Sequence, residues 1–153
     1  MASVSIAATS VTFPALCIPR DFGVYVVRDA SQLRRVRAQA FWTHHHFERF
    51  RIFDSSGRAY EVRTADVSSP TSRAGRFLAR LLDLTIEVDV KLAALDSAPL
   101  SDVVSAVRKA LEVDPESFEE LSQRSLEWWR TTLSQATSVP EIIRAFAECQ
   151  PRR

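Results

Sequence analysis

Glycine is scarce: Gly23, Gly57 and Gly75 are the only three in 153 residues. Phosphate-cradling loops need glycine where backbone approaches ligand, so P-loop and dinucleotide-binding chemistry is excluded. Cysteine is scarcer still. Cys17 and Cys149 lie near opposite ends and no Cys-x-x-Cys occurs. Two cysteines make no disulfide framework, and a reducing, cytoplasmic setting is expected; a single staple between the two is the alternative. Lysine occurs only at 91 and 109, so arginine carries most of the positive charge. Lys+Arg 20 against Asp+Glu 19 leaves a net charge of +1. A general polyanion binder carries a clear basic excess, so nucleic acid is disfavoured as a partner. No apolar run approaches the ~20 residues of a membrane span, and no membrane partner is expected. There is no Gly-x-Ser-x-Gly nucleophile elbow, and neither cysteine sits beside a basic motif that would activate it.

What remains is ordinary globular material: 46% apolar and 25% charged residues. A single domain, 1–153, is expected. It divides into an N-terminal arm or strand (1–20), an α+β core (21–93) and a helical extension (100–149). The arm lacks the charged n-region of a secretory signal. Charge is segregated along the chain. Residues 20–80 hold 12 basic and 6 acidic side chains, and residues 81–122 hold 3 and 10.

Hydrophobic periodicity sets the expected elements. "FGVYVVRD" (22–29) is β-branched and aromatic, hence a strand. "DASQLRRVRAQAF" follows with Leu33, Val36 and Ala40 at helical spacing. "HHFERFRIF" alternates Phe50 and Ile52 with charges, "DSSG" offers Gly57 for a positive φ, and "RAYEVRT" returns, which predicts a hairpin. "SSPTSRAGRFLARLLD" reads as a helix with Ser69 as cap, Pro70 at its first position and an apolar face of Ala74, Phe77, Leu78 and Leu81. "TIEVDVKL" (85–92) alternates cleanly: Ile86, Val88, Val90 and Leu92 against Thr85, Glu87, Asp89 and Lys91. That pattern predicts a sheet covered on one face. Three helices follow, starting at Ser101, at Asp114–Pro115, and at a Ser138/Glu141 capping box. The order β-α-β-β-α-β predicts a ferredoxin-like antiparallel sheet with helices on one face and a C-terminal extension of about three helices.

That fold class hosts many functions, so function has to come from a site. All three histidines are adjacent, at 44–46. On a strand, His44, His46 and Glu48 share a face; on a helix, His44 and Glu48 are i,i+4 neighbours. Either arrangement suits zinc, iron or nickel, and an open position could activate water. The competing reading makes these residues the rim of a strand, and it is preferred because no second ligand cluster exists. Arg73, Arg76 and Arg80, with Arg34, Arg35 and Arg37, form an arginine stripe that could meet RNA. Glu61, Glu87 and Asp89 on the open sheet face would repel phosphate. Trp128 and Trp129 stand about 100° apart on a helix, with Phe118, Leu121, Leu126 and Leu133 nearby. Core packing suits both, and an exposed one would anchor an interface.

The expected function is therefore non-enzymatic binding of another protein, of the inhibitor or immunity type, through a charged surface. Its expected contacts are Glu61, Arg63, Glu87, Asp89, Trp128 and Trp129. No cofactor is expected. The alternative is a metal-dependent enzyme or metal sensor using a divalent ion at His44, His46 and Glu48.

Overall fold

The computed structural model describes residues 5–20, 23–68, 72–96 and 100–149. Among these residues seven strands form one antiparallel assembly: β1 (Ile6–Ala7), β2 (Ala15–Ile18), β3 (Tyr25–Val27), β4 (Arg35–Arg37), β5 (Arg51–Asp54), β6 (Ala59–Val67) and β7 (Thr85–Leu95). The order is β1-β7-β6-β5-β2-β3, with β4 also paired to β7. Helices α1 (Ala30–Arg34), α2 (Ala38–Trp42) and α3 (Arg73–Leu81) lie between strands. Helices α4 (Leu100–Val113), α5 (Pro115–Ser122), α6 (Leu126–Gln135) and α7 (Val139–Cys149) follow the last strand.

The protein is thus α+β, but its strand order departs from the ferredoxin-like expectation. That arrangement would set the strand at 25–27 beside the one at 59–67. Instead β2 stands between β3 and β5. The reason lies in "ALCI": all four residues of β2 are buried. Ala15 and Cys17 enter one core cluster, and Leu16 and Ile18 the other. A strand apolar on both faces belongs inside a sheet covered on both, so the supposed arm supplies a central strand.

Two cores result. On one face, α4–α7 pack Val103, Val107, Trp129, Ile142, Ile143 and Phe146 against Leu16, Val26 and Phe53. On the other, Leu33, Val36, Phe47 and Phe50 cover Cys17, Ile52, Tyr60, Val88 and Leu92. The C-terminal helices are a full layer over the sheet rather than an extension, and both faces carry cover. They number four, because the segment 115–135 breaks: Gln123 takes φ 55°, and Ser125 caps α6 by accepting from Trp128 N at 3.2 Å.

Other elements shift in instructive ways. The expected helix over 29–41 is two short turns around β4, whose Val36 is buried between exposed Arg35 and Arg37. Leu33, Val36 and Ala40 satisfy a helical spacing, yet Val36 reaches the core from a strand paired with Ile86. The cleanest alternation is realised: Val88, Val90 and Leu92 are buried while Glu87, Asp89 and Lys91 are exposed. In α3 the cap is Ser72, accepting from Gly75 N at 3.1 Å; Ser69 and Pro70 lie outside the described residues. Glu141 reaches back to Thr137 N at 2.8 Å, one residue before the expected capping box.

The hairpin between β5 and β6 forms with Gly57 at φ 83°. Its hub is Asp54, a carboxylate with no exposed surface. Oδ1 accepts from Ser56 N (3.0 Å), Ser56 Oγ (2.6 Å) and Arg58 N (3.0 Å). Oδ2 accepts from Thr12 N (3.1 Å) and the Tyr60 hydroxyl (3.3 Å). One side chain closes the turn and ties the N-terminal segment to it.

Candidate partner-binding surface

The histidines do not make a shared ligand set. Residues 44–49 form turns after α2, with His45 and Arg49 at positive φ, so they neither end a helix nor start a strand. His46 turns inward, its Nε2 lying 3.1 Å from the Tyr25 hydroxyl, its ring 4.9 Å from Phe47 and 5.2 Å from Phe50. His44 is exposed, and Glu48 accepts from Arg20 at 3.1 Å. Among the described residues no group of three His, Cys, Asp or Glu side chains is placed to hold an ion. The metal reading rested on either an extended backbone or a helix continuing from His44 to Glu48, and the turn is neither.

Burial instead gives His46 an acid-sensitive role, lowering its pKa from 6.5 to about 4. The folded protein holds the neutral ring, and the unfolded chain takes up a proton first as pH falls. This contribution to stability is complete above pH 6.5, declines between 6.5 and 4, and levels off below. The loss is on the order of 2–3 kcal/mol, less whatever solvent screens at this partly exposed ring. Urea unfolding from pH 7 to pH 4 is expected to show this decline in the wild type, and His46→Gln should flatten it.

The expected contact residues separate in space. Trp129 has no exposed surface. Its Nε1 donates to Ser122 Oγ at 2.9 Å and its ring lies 4.4 Å from Phe146. It is a core residue and no partner reaches it in this fold. Trp128 is half-buried, with the Arg124 guanidinium 5.1 Å over its ring. Glu87 and Asp89 lie on the uncovered end of the sheet, where both bind Arg34, at 3.2 and 2.8 Å. Glu61 stands 3.8 Å from Arg63. The acidic face is thereby partly neutralised from within, and Arg34 leaves the arginine stripe. Cys17 is buried, which pushes its thiol well above the ordinary value, and both cysteines are free.

A different surface stands out. Helix α3 is amphipathic, yet its contacts with α2 are made by polar groups, while its arginines stay exposed. Arg76 stacks over Trp42 at 5.4 Å, Arg80 donates to Thr43 Oγ1 at 3.3 Å, and Gln39 Nε2 donates to the Arg80 carbonyl at 3.2 Å. Just beyond, Asp83 accepts from Arg37 Nε at 3.2 Å and Gln39 N at 3.1 Å. Ala79 is the helix's buried residue. The apolar side faces out: Phe77 is 67% exposed, Leu81 64%, Leu82 59%, Leu78 52% and, past the helix, Leu84 46%. This face is the largest exposed apolar group among the described residues. Each such side chain gains roughly 1.5–3 kcal/mol on passing from exposed to buried, and contiguous patches of this kind mark interaction sites.

The patch is bordered by charge of one sign. Arg73, Arg76 and Arg80 lie along the helix, and among the described residues none of them pairs with a carboxylate, since Asp83 is held by Arg37. The run "FLARLLDL" carries the signal in sequence. Its amphipathicity is plain there, but which side docks depends on α2. No family model, curated protein or solved structure matches the chain. No described helix is long and apolar enough to cross a membrane.

Proposed function

We propose that this protein is a non-enzymatic binding module whose partner is another protein, engaged through the outward face of α3. The observation that carries the reading is the exposed apolar face of α3, with Phe77, Leu78, Leu81 and Leu82 in solvent while Arg76 and Arg80 contact Trp42, Thr43 and Gln39. The occupant that suits it is an amphipathic helix with an apolar stripe and acidic flanks. A second copy of the same helix is disfavoured, because pairing would set the arginines of each against those of the other. The charge layout suits an inhibitor of the immunity type, with the contact moved from the acidic sheet face to the basic and apolar helix.

Model helical peptides with a leucine stripe and glutamate flanks are expected to bind the full chain, and lysine-flanked counterparts are not. Leu81→Glu and Phe77→Ser should each weaken binding at least about tenfold, the effect of truncating an interface anchor. Both should leave urea stability within about 0.5 kcal/mol, since neither side chain is packed. Isothermal titration and urea unfolding check both statements. Equal binding of the two peptide sets, binding only to anionic vesicles, or self-association lost in Leu81→Glu would replace the reading.

A further inference from the structure

A second feature lies away from α3, where the ends of β2, β5 and β6 meet the last turns of α4. The cleft there measures about 780 Å³, within the roughly 300–1,000 Å³ of small-molecule sites. Arg49, Arg51 and Lys109 give its lining a cationic part. Among the described residues none of these three forms an ion pair; Arg51 lies 5.9 Å over the Phe53 ring. The lining also has apolar members, Val24, Ala110 and Val113, the last two on the same helix as Lys109. Val113 is 77% exposed at the end of α4, an uncovered side chain that the core does not use. The remaining basic residue, Arg20, is held by Glu48. Among the described residues, the carboxylates in the lining are Glu61, drawn toward Arg63, and Asp114. Among the described lining residues, basic groups therefore outnumber acidic ones, four to two.

We infer that this cleft binds a small organic anion, with a phosphate or carboxylate head on Arg49, Arg51 and Lys109 and an apolar body along Val24, Ala110 and Val113. Guanidinium groups hold such heads through paired, charge-assisted hydrogen bonds. The apolar members of the lining give the body a surface that inorganic phosphate would leave uncovered. Arg49 sits at φ 53°, a backbone region asparagine tolerates, so Arg49→Asn removes the charge without straining the turn.

The test is isothermal titration of the full chain with decyl phosphate and decanoate below their micelle concentrations, and with inorganic phosphate and decyltrimethylammonium. Binding of one equivalent of the two decyl anions is expected, weakening as salt rises. Arg49→Asn and Lys109→Gln should each reduce affinity about tenfold, the loss of one charge-assisted hydrogen bond. Leu81→Glu should leave this binding unchanged, while Arg49→Asn leaves peptide binding at α3 unchanged, so either site can fail alone. The inference is overturned if neither decyl anion binds at millimolar concentration, or if decyltrimethylammonium binds as well. Inorganic phosphate binding as tightly as decyl phosphate, or decyl-anion binding lost in Leu81→Glu but kept in the two cleft variants, would also overturn it.

Discussion

Replacing Asp54 by alanine is expected to lower stability by about 3–5 kcal/mol, a large part of what a domain of this size possesses. The carboxylate is wholly buried and accepts from Ser56, Arg58, Thr12 and Tyr60. Its loss strands the buried Tyr60 hydroxyl, at about 1–3 kcal/mol, and leaves the part-buried N–H groups of Thr12, Ser56 and Arg58 without their acceptor. Asp54→Asn should fall between, because an amide keeps one acceptor oxygen where the carboxylate has two. Burial by itself would raise the Asp54 pKa, but the hydrogen bonds from Ser56, Thr12 and Arg58 outweigh it, and the folded value lies below 3.8. The stabilisation is therefore complete above the ordinary aspartate value and is lost as pH falls through the depressed one. Urea unfolding at pH 7 and below pH 4 reads both effects. A change under about 1 kcal/mol for Asp54→Ala at pH 7 would remove Asp54 from its place as hub.

The adjacent tryptophans should part company. Trp129→Ala is expected to cost about 3–5 kcal/mol, as for other buried aromatics. It removes the largest fully buried side chain, its edge contact with Phe118 at 6.1 Å, and the hydrogen bond to Ser122. Trp128→Ala should cost roughly 1 kcal/mol, the worth of partial burial and an exposed cation–π contact with Arg124. The same unfolding curves compare the two. Equal costs would show that the helical layer packs differently, with Trp128 carrying as much of the core.

Several features were legible in the chain as written. The alternation in 85–92, the hairpin at Gly57 and the first helical position of Pro115 all appear in place. These are local: each follows from a period or a backbone preference that neighbours in sequence express. The features that escaped depend on partners far along the chain. Val36 satisfies a helical spacing but pairs as a strand with Ile86, fifty residues away. His44, His46 and Glu48 sit on a turn whose shape is set by α2 and by the burial of Phe47 and Phe50. Asp54 looked like one more turn residue, because nothing in "DSSG" shows that Thr12 and Tyr60 will close on it.

The site follows the same division. By itself the sequence determined an α+β chain with no glycine-rich phosphate loop, and a strongly two-sided helix within 68–83, since composition and period are properties of short segments. Only the tertiary structure decided that "ALCI" is a central strand, and that α3 meets α2 through Arg76 and Arg80 while its leucines meet solvent. An amphipathic helix states which side chains belong together. Which side is buried depends on whether the neighbour offers an apolar surface or, as α2 does here with Trp42, Thr43 and Gln39, one that accepts cations and hydrogen bonds.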